Sequence, residues 1–133
     1  MRIEGRIVKG VGESKGFLSI GWVAEALTEA FRFVPFPGTL NITLDDPDIQ
    51  AVLKEKGPIR LAHRTEGFCD AILVRGMLNG KYECGVVIPL VENYDRRLLE
   101  VVAPVHLKET LHINDGDMVS LELEINQVMN KGE

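Results

Sequence analysis

Apolar runs in this chain are short, and nearly every one ends at a glycine, a proline or an Asx–Gly pair. Such punctuation suits strands of about four to eight residues joined by tight turns, and it leaves room for few helices. Residues 2–9 alternate, with Ile3, Gly5 and Ile7 on one side and Arg2, Glu4, Arg6 and Val8 on the other. Gly10, Gly12 and Gly16 break this pattern, and residues 17–20 resume a short extended piece. Residues 39–44 alternate again: Leu40, Ile42 and Leu44 oppose Thr39, Asn41 and Thr43. Further strands are expected at 59–62, 69–74, 81–88, 98–102 and 118–125. Asn79-Gly80 predicts a hairpin turn, because both positions tolerate positive φ, and Asp115-Gly116 predicts another turn.

The period changes once, at Gly21. Trp22, Val23, Ala26, Leu27, Ala30 and Phe31 fall at helical spacing, and Pro35 and Pro37 prevent continuation. Two smaller helices are expected, one from Asp46-Pro47 through Leu53 to Gly57-Pro58, the other from Pro104 through Leu107 and Leu111. Six or more short strands with one principal helix and short peripheral ones predict a mainly β, closed or nearly closed barrel. The 133 residues fit one domain, taken as 1–128, with a C-terminal tail at 129–133.

Several function classes are disfavoured. A formal charge of -5 argues against a nucleic-acid partner, which usually demands a basic face. Cys69 and Cys84 form no C-x-x-C pair and read as reduced thiols. His63, His106 and His112 show no zinc-ligand spacing, and no nucleophile triad is visible. No apolar h-region follows Met1-Arg2, and no apolar run approaches the ~20 residues of a membrane span. A cytoplasmic protein, monomeric and without a membrane partner, is expected.

Four segments can carry chemistry. Gly10, Val11, Gly12, Glu13, Ser14, Lys15 and Gly16 form a loop whose N–H groups can approach phosphate, although it is neither a P-loop nor a Rossmann fingerprint. A plain strand connection is the alternative. Thr39 and Asn41 share one side of a strand, so a hydroxyl and an amide oxygen converge, a donor pair that suits Mg²⁺. They can equally be the solvated face of an edge strand. Glu100 shares a face with Leu98 and Val102, which places a carboxylate in a pocket or on the barrel's outer surface. Val105, His106, Leu107 and Lys108 open a helix whose first N–H groups are free to meet a phosphate or a base edge.

Taken in order, these pieces resemble the archaeal CTP-dependent riboflavin kinases. The matching segments are Ile3-Glu4-Gly5, Gly10-Val11-Gly12-Glu13, Pro37-Gly38-Thr39-Leu40-Asn41, Val87-Ile88-Pro89, Glu100-Val101-Val102-Ala103-Pro104-Val105-His106-Leu107-Lys108-Glu109 and Asp115-Gly116-Asp117. The resemblance implies a six-stranded cradle-loop (RIFT-type) barrel that transfers the terminal phosphoryl of CTP to the ribityl 5′-hydroxyl of riboflavin, giving FMN and CDP. It further implies nucleotide binding by Gly10 to Lys15 and Val105 to Lys108, Mg²⁺ on Thr39 and Asn41, and flavin contact at Glu100, which is also the candidate catalytic residue. A flavin-contacting position that is usually Thr falls at Glu92, and Lys108 replaces a commoner Arg, losing the bidentate fork. Phosphoryl transfer needs mainly positioning and charge neutralisation, which these residue types can supply. A non-catalytic flavin or nucleotide carrier and a cradle-loop DNA-binding module are the alternatives.

Overall fold

The computed structural model describes residues 1–10, 18 and 20–125. Seven strands form one antiparallel sheet: β1 (Arg2–Val8), β2 (Leu40–Thr43), β3 (Ile59–Leu61), β4 (Ala71–Leu78), β5 (Tyr82–Pro89), β6 (Leu98–Val102) and β7 (Met118–Leu123). Their order is β3-β4-β5-β6-β2-β1-β7, and a further pairing of β4 with β7 closes six of them into a barrel, leaving β3 as a flap on β4. Among the described residues, three helices have both ends placed: α1 (Gly21–Phe31), α2 (Asp48–Lys56) and α3 (Leu107–Leu111).

Alternation decides the two faces of the wall. Ile3, Ile7, Ile42, Ile72, Val74, Val86, Leu99 and Leu121 point inward and form the barrel core. Their neighbours Ala71, Leu73, Val87 and Val102 point outward and would be wet without a cover. Helix α1 supplies that cover. Its Val23, Leu27 and Phe31 stripe packs on the outward residues as a second core, satisfying the apolar face that its periodicity displays. Register then sets one row of neighbours across four strands of the outer face. Val8 pairs with Asn41, Asn41 with Glu100, and Glu100 with Val87.

Most boundaries agree with the periodicity, and the departures have local causes. Asn79 and Gly80 adopt φ of 51° and 70°, so the hairpin turn forms as expected. Strand β4 starts at Ala71, because Asp70 turns back to bond His63, and it runs on to Leu78 to meet β7. Strand β7 stops at Leu123. Leu18 is helical where an extended piece was expected; it is buried against α1's core and obeys burial instead of the local alternation. Helix α3 begins at Leu107, later than Pro104, because His106 is its N-cap. The proposed tail at 129–133 lies outside the described residues. Among the described residues no helix is long and apolar enough to cross a membrane.

Candidate functional site

Two cavities meet at a shared wall formed by Val8, Lys9, Gly10, Thr39 and Asn41. The smaller, about 330 Å³, runs between the β1 and β2 ends and the start of α3. Among the described residues its charged or titratable lining is basic, Lys9, His106 and Lys108, while Phe36, Val105 and Leu107 contribute apolar surface. The larger, about 540 Å³, lies beneath α1. Leu18, Trp22, Leu27, Leu61, Val87 and Val91 make it mostly apolar, with Glu100 and Asp95 as its acidic groups. One cavity suits an anion with an attached ring. The other suits a flat apolar body.

Thr39 lies just before β2 and Asn41 lies on it, so both reach the shared wall as their alternation with Leu40 predicts. The Asn41 amide packs directly on Gly10, with its nitrogen nearest; a Cβ at Gly10 would overlap it. A glycine lets the β1 end approach so closely without displacing that amide. Glu100, opposite Asn41 on β6, is held at both oxygens. Thr39 Oγ1 donates to Oε1 at 3.1 Å, and the Tyr94 hydroxyl donates to Oε2 at 2.6 Å. Burial, with the Glu100 carboxylate next to it, pushes the Tyr94 hydroxyl far above its ordinary value, so it remains a donor.

At the other end of the shared wall, His106 caps α3 by accepting from the Glu109 N–H through Nδ1 at 3.2 Å. That corrects the expectation that the first-turn N–H groups are all free: the Glu109 donor is taken. The cap leaves Nε2 of a neutral His106 carrying the proton. Its ring meets Phe36 edge to face, centroids 5.0 Å apart. Lys108 Nζ donates to Asp115 at 2.7 Å, which holds the ammonium beside the cavity it lines.

The structure thus brings Gly10, Thr39, Asn41, Val105, His106, Leu107 and Lys108 to one cavity, and Glu100 to its neighbour. Val11, Gly12, Glu13, Ser14 and Lys15 lie outside the described residues. Glu92 is exposed and lines neither cavity. Sequence reasoning missed Tyr94 and Phe36, which sit in irregular segments where no periodicity marks a face. It took Trp22 only as a core residue, yet Trp22 also lines the larger cavity. Arg64 lies 5.9 Å from its ring centroid and Phe68 meets it edge-on at 5.6 Å. Its Nε1 is the one buried side-chain polar atom without a partner among the described residues.

For a cation, the donor set is neutral oxygens from Thr39 and Asn41 with the Glu100 carboxylate close by. Among the described residues no three His, Cys, Asp or Glu side chains gather into a cage of their own. Hard oxygen donors in small number fit Mg²⁺, which usually takes substrate phosphates and water as its other ligands.

Comparison with known proteins agrees with this geometry. A family model named for CTP-dependent riboflavin kinases, and described as a domain of unknown function, DUF120, matches residues 7–123. The riboflavin kinase of Methanothermobacter thermautotrophicus is 37% identical over 119 residues, covering 90% of this chain and 96% of that protein. That of Saccharolobus solfataricus is 32% identical over 131 residues, covering 94% of this chain and 75% of its own length. That of Methanosarcina barkeri is 33% identical over 132 residues, and the match covers 93% of this chain but only 57% of the longer relative. The barrel, the match across most of its length and these relatives make the chain a member of the archaeal CTP-dependent riboflavin kinase family.

Proposed function

We propose that this protein is a riboflavin kinase that moves the terminal phosphoryl group of CTP to the ribityl 5′-hydroxyl of riboflavin, giving FMN and CDP. The observation that carries the reading is the pair of cavities, one basic and one apolar, meeting at Thr39 and Asn41 with Glu100 fixed beside them. A donor nucleotide and a flavin can each be bound, and the two reacting ends brought together at one wall. Positioning of that kind supplies most of what phosphoryl transfer requires.

In this reading, Lys9, His106 and Lys108 draw the nucleotide into the smaller cavity, with Gly10 against its phosphates. The isoalloxazine ring occupies the apolar cavity under α1, where exclusion of water strengthens the charged contacts at its mouth. Thr39 and Asn41 would hold Mg²⁺, whose charge offsets that of the phosphates during transfer. Glu100 accepts a hydrogen bond from the ribityl hydroxyl and aims its oxygen at the phosphorus. Because Thr39 and Tyr94 already occupy one lone-pair site on each carboxylate oxygen, orientation is its principal role.

The test is product analysis by HPLC after incubation of purified protein with riboflavin, Mg²⁺ and CTP, UTP, GTP or ATP in turn. FMN formed chiefly with CTP is expected. FMN formed chiefly with ATP would retain the kinase and overturn the donor. Folded protein that makes no FMN with any donor would overturn the kinase and favour a carrier.

A further inference from the structure

Glu100 lies on a strand, but one of the two hydrogen bonds that orient it comes from a loop. Tyr94 belongs to the connection between β5 and β6, residues 90–97. A loop side chain holds a carboxylate in place only if the loop itself is held. Here that support is unusually direct. Gln50, on α2, is 1% exposed and is the only buried polar or charged side chain among the described residues. Its Nε2 donates to the carbonyls of Asp95 at 2.8 Å and Leu98 at 2.7 Å, on either side of the loop's return to β6. The Asp95 carboxylate accepts from the Arg97 N–H at 2.9 Å, and the Asp95 carbonyl also accepts from the Leu98 N–H at 3.1 Å. At the other end, the Leu90 N–H donates to the Asp70 carbonyl at 2.9 Å. The segment that carries Tyr94 is therefore anchored on both sides, and the residue itself lines the larger cavity.

We propose that Tyr94 is a positioning residue for phosphoryl transfer: its hydroxyl donates to Glu100 Oε2 and, together with Thr39 on Oε1, fixes the carboxylate so that its remaining lone pairs face the substrate hydroxyl. The proposal rests on the kinase reading given above. A carboxylate offers about four acceptor sites, and two opposed donors remove the freedom to rotate about its last bond. Thr39 joins this arrangement to the other substrate. Its proton is directed at Glu100, so it can meet a cation only through lone pairs. The hydroxyl donors of Thr39 and Tyr94 thus link the position of the nucleotide to that of the acceptor. The Tyr94 proton does not leave in the working range, since burial and the neighbouring carboxylate both oppose ionisation. Tyr94 is a fixed donor and takes no part in proton transfer.

Tyr94→Phe tests this, because it removes one oxygen and keeps the ring. Riboflavin turnover by the wild-type protein is measured first; its absence would sink the kinase reading and leave Tyr94 aside. Given turnover, Tyr94→Phe should lower kcat by about 10- to 100-fold, the range of a hydrogen bond to a charged group. KM for riboflavin, and riboflavin affinity by flavin fluorescence without nucleotide, should change less than about threefold, as expected for loss of an interaction that acts on the transition state. The deciding readout is the double mutant with Glu100→Gln. If Tyr94 acts through Glu100, adding Tyr94→Phe to Glu100→Gln should change kcat less than about threefold. Penalties that multiply in the double mutant, a wild-type kcat in Tyr94→Phe, or a loss confined to KM would each overturn the proposal. Urea unfolding of every variant separates a folding defect from a catalytic one. Should Tyr94→Phe be less stable, the same cycle run at a temperature where both proteins are folded still decides the coupling.

Discussion

Cys69 and Cys84 are both free thiols, but they occupy opposite sides of the barrel wall. Cys84 points into the core, and burial, with Glu83 next to it, pushes its thiol up to about 12. At pH 8 only about one such thiol in ten thousand is ionised, so it should not react in the folded state. Cys69 is half-buried in the lining of the larger cavity. Titration with a thiol reagent at pH 8 should therefore count one thiol before unfolding and two after, and riboflavin should protect the first. Protection by CTP but not by riboflavin would place the flavin elsewhere. Gly10 gives a second residue-scale prediction. A methyl there meets the end of the Asn41 side chain, a group that can swing away at small cost. Gly10→Ala should lower kcat at limiting Mg²⁺ by about tenfold or more while shifting the melting temperature by only a degree or two. A loss of stability with kcat unchanged would remove Asn41 from the site. Thr39, Asn41 and Glu100 were legible from strand alternation because their neighbours are plainly apolar. Tyr94 was not, because what gives it a role is a carboxylate six residues on, which a loop conformation must bring within reach.

Among the elements, the principal helix was legible because its apolar stripe is complete, and the two-residue hairpin because Asn79-Gly80 admits few other turns. Helix α2 was read only as a short helix from Asp46-Pro47 through Leu53 to Gly57-Pro58. Its important residue is instead the polar Gln50, whose value lies in two carbonyls more than forty residues away. Gln50→Ala takes the amide donor from both, but the Asp95 carbonyl keeps the Leu98 N–H. The loss therefore falls mainly on the Leu98 carbonyl and should cost about 1 kcal/mol, or about 3 °C in melting temperature, with the loop carrying Tyr94 loosened as well. Calorimetry checks the first part and kcat the second; a fully stable variant would mean that water replaces the amide. The loop between β3 and β4 is stapled differently. Asp70 accepts from the His63 N–H and ring nitrogen and from Arg60, and these hold its carboxyl well below the usual carboxylate range. A depressed carboxyl contributes stability that is present above its unfolded value, near pH 4, and lost as pH falls toward its folded one. Asp70→Asn should thus flatten the fall in urea midpoint below about pH 4, and leave the loop more open to proteolysis at neutral pH. An acid limb with the wild-type slope would show that another carboxyl controls it.

At the scale of the molecule, closure was the least legible property. Alternation gives strands and faces, but the pairing of β4 with β7 joins residues more than forty positions apart, and no local pattern marks it. The same closure builds the site. It curves the sheet so that β1, β2 and β6 present one row of outward residues to two cavities at once. The two linings share only Val8, Lys9, Gly10, Thr39 and Asn41. The smaller draws others from the start of α3 and the larger from α1, β4 and β5, so neither described lining depends on filling the other cavity. Riboflavin and nucleotide should accordingly bind in either order. A ligand at a hundred times its Kd adds about 2.7 kcal/mol to stability, which for a domain of this size is about 8 °C. Riboflavin alone and CDP with Mg²⁺ alone should each raise the melting temperature by about that amount. Together they should raise it by nearly the sum, and the riboflavin Kd should change less than about threefold when CDP is present. A melting temperature that responds to riboflavin only after nucleotide is added would mean that the flavin cavity is completed by the first substrate. Independent additive shifts would instead assign the reaction's specificity to the shared wall, where Thr39 and Asn41 stand with Glu100 beside them.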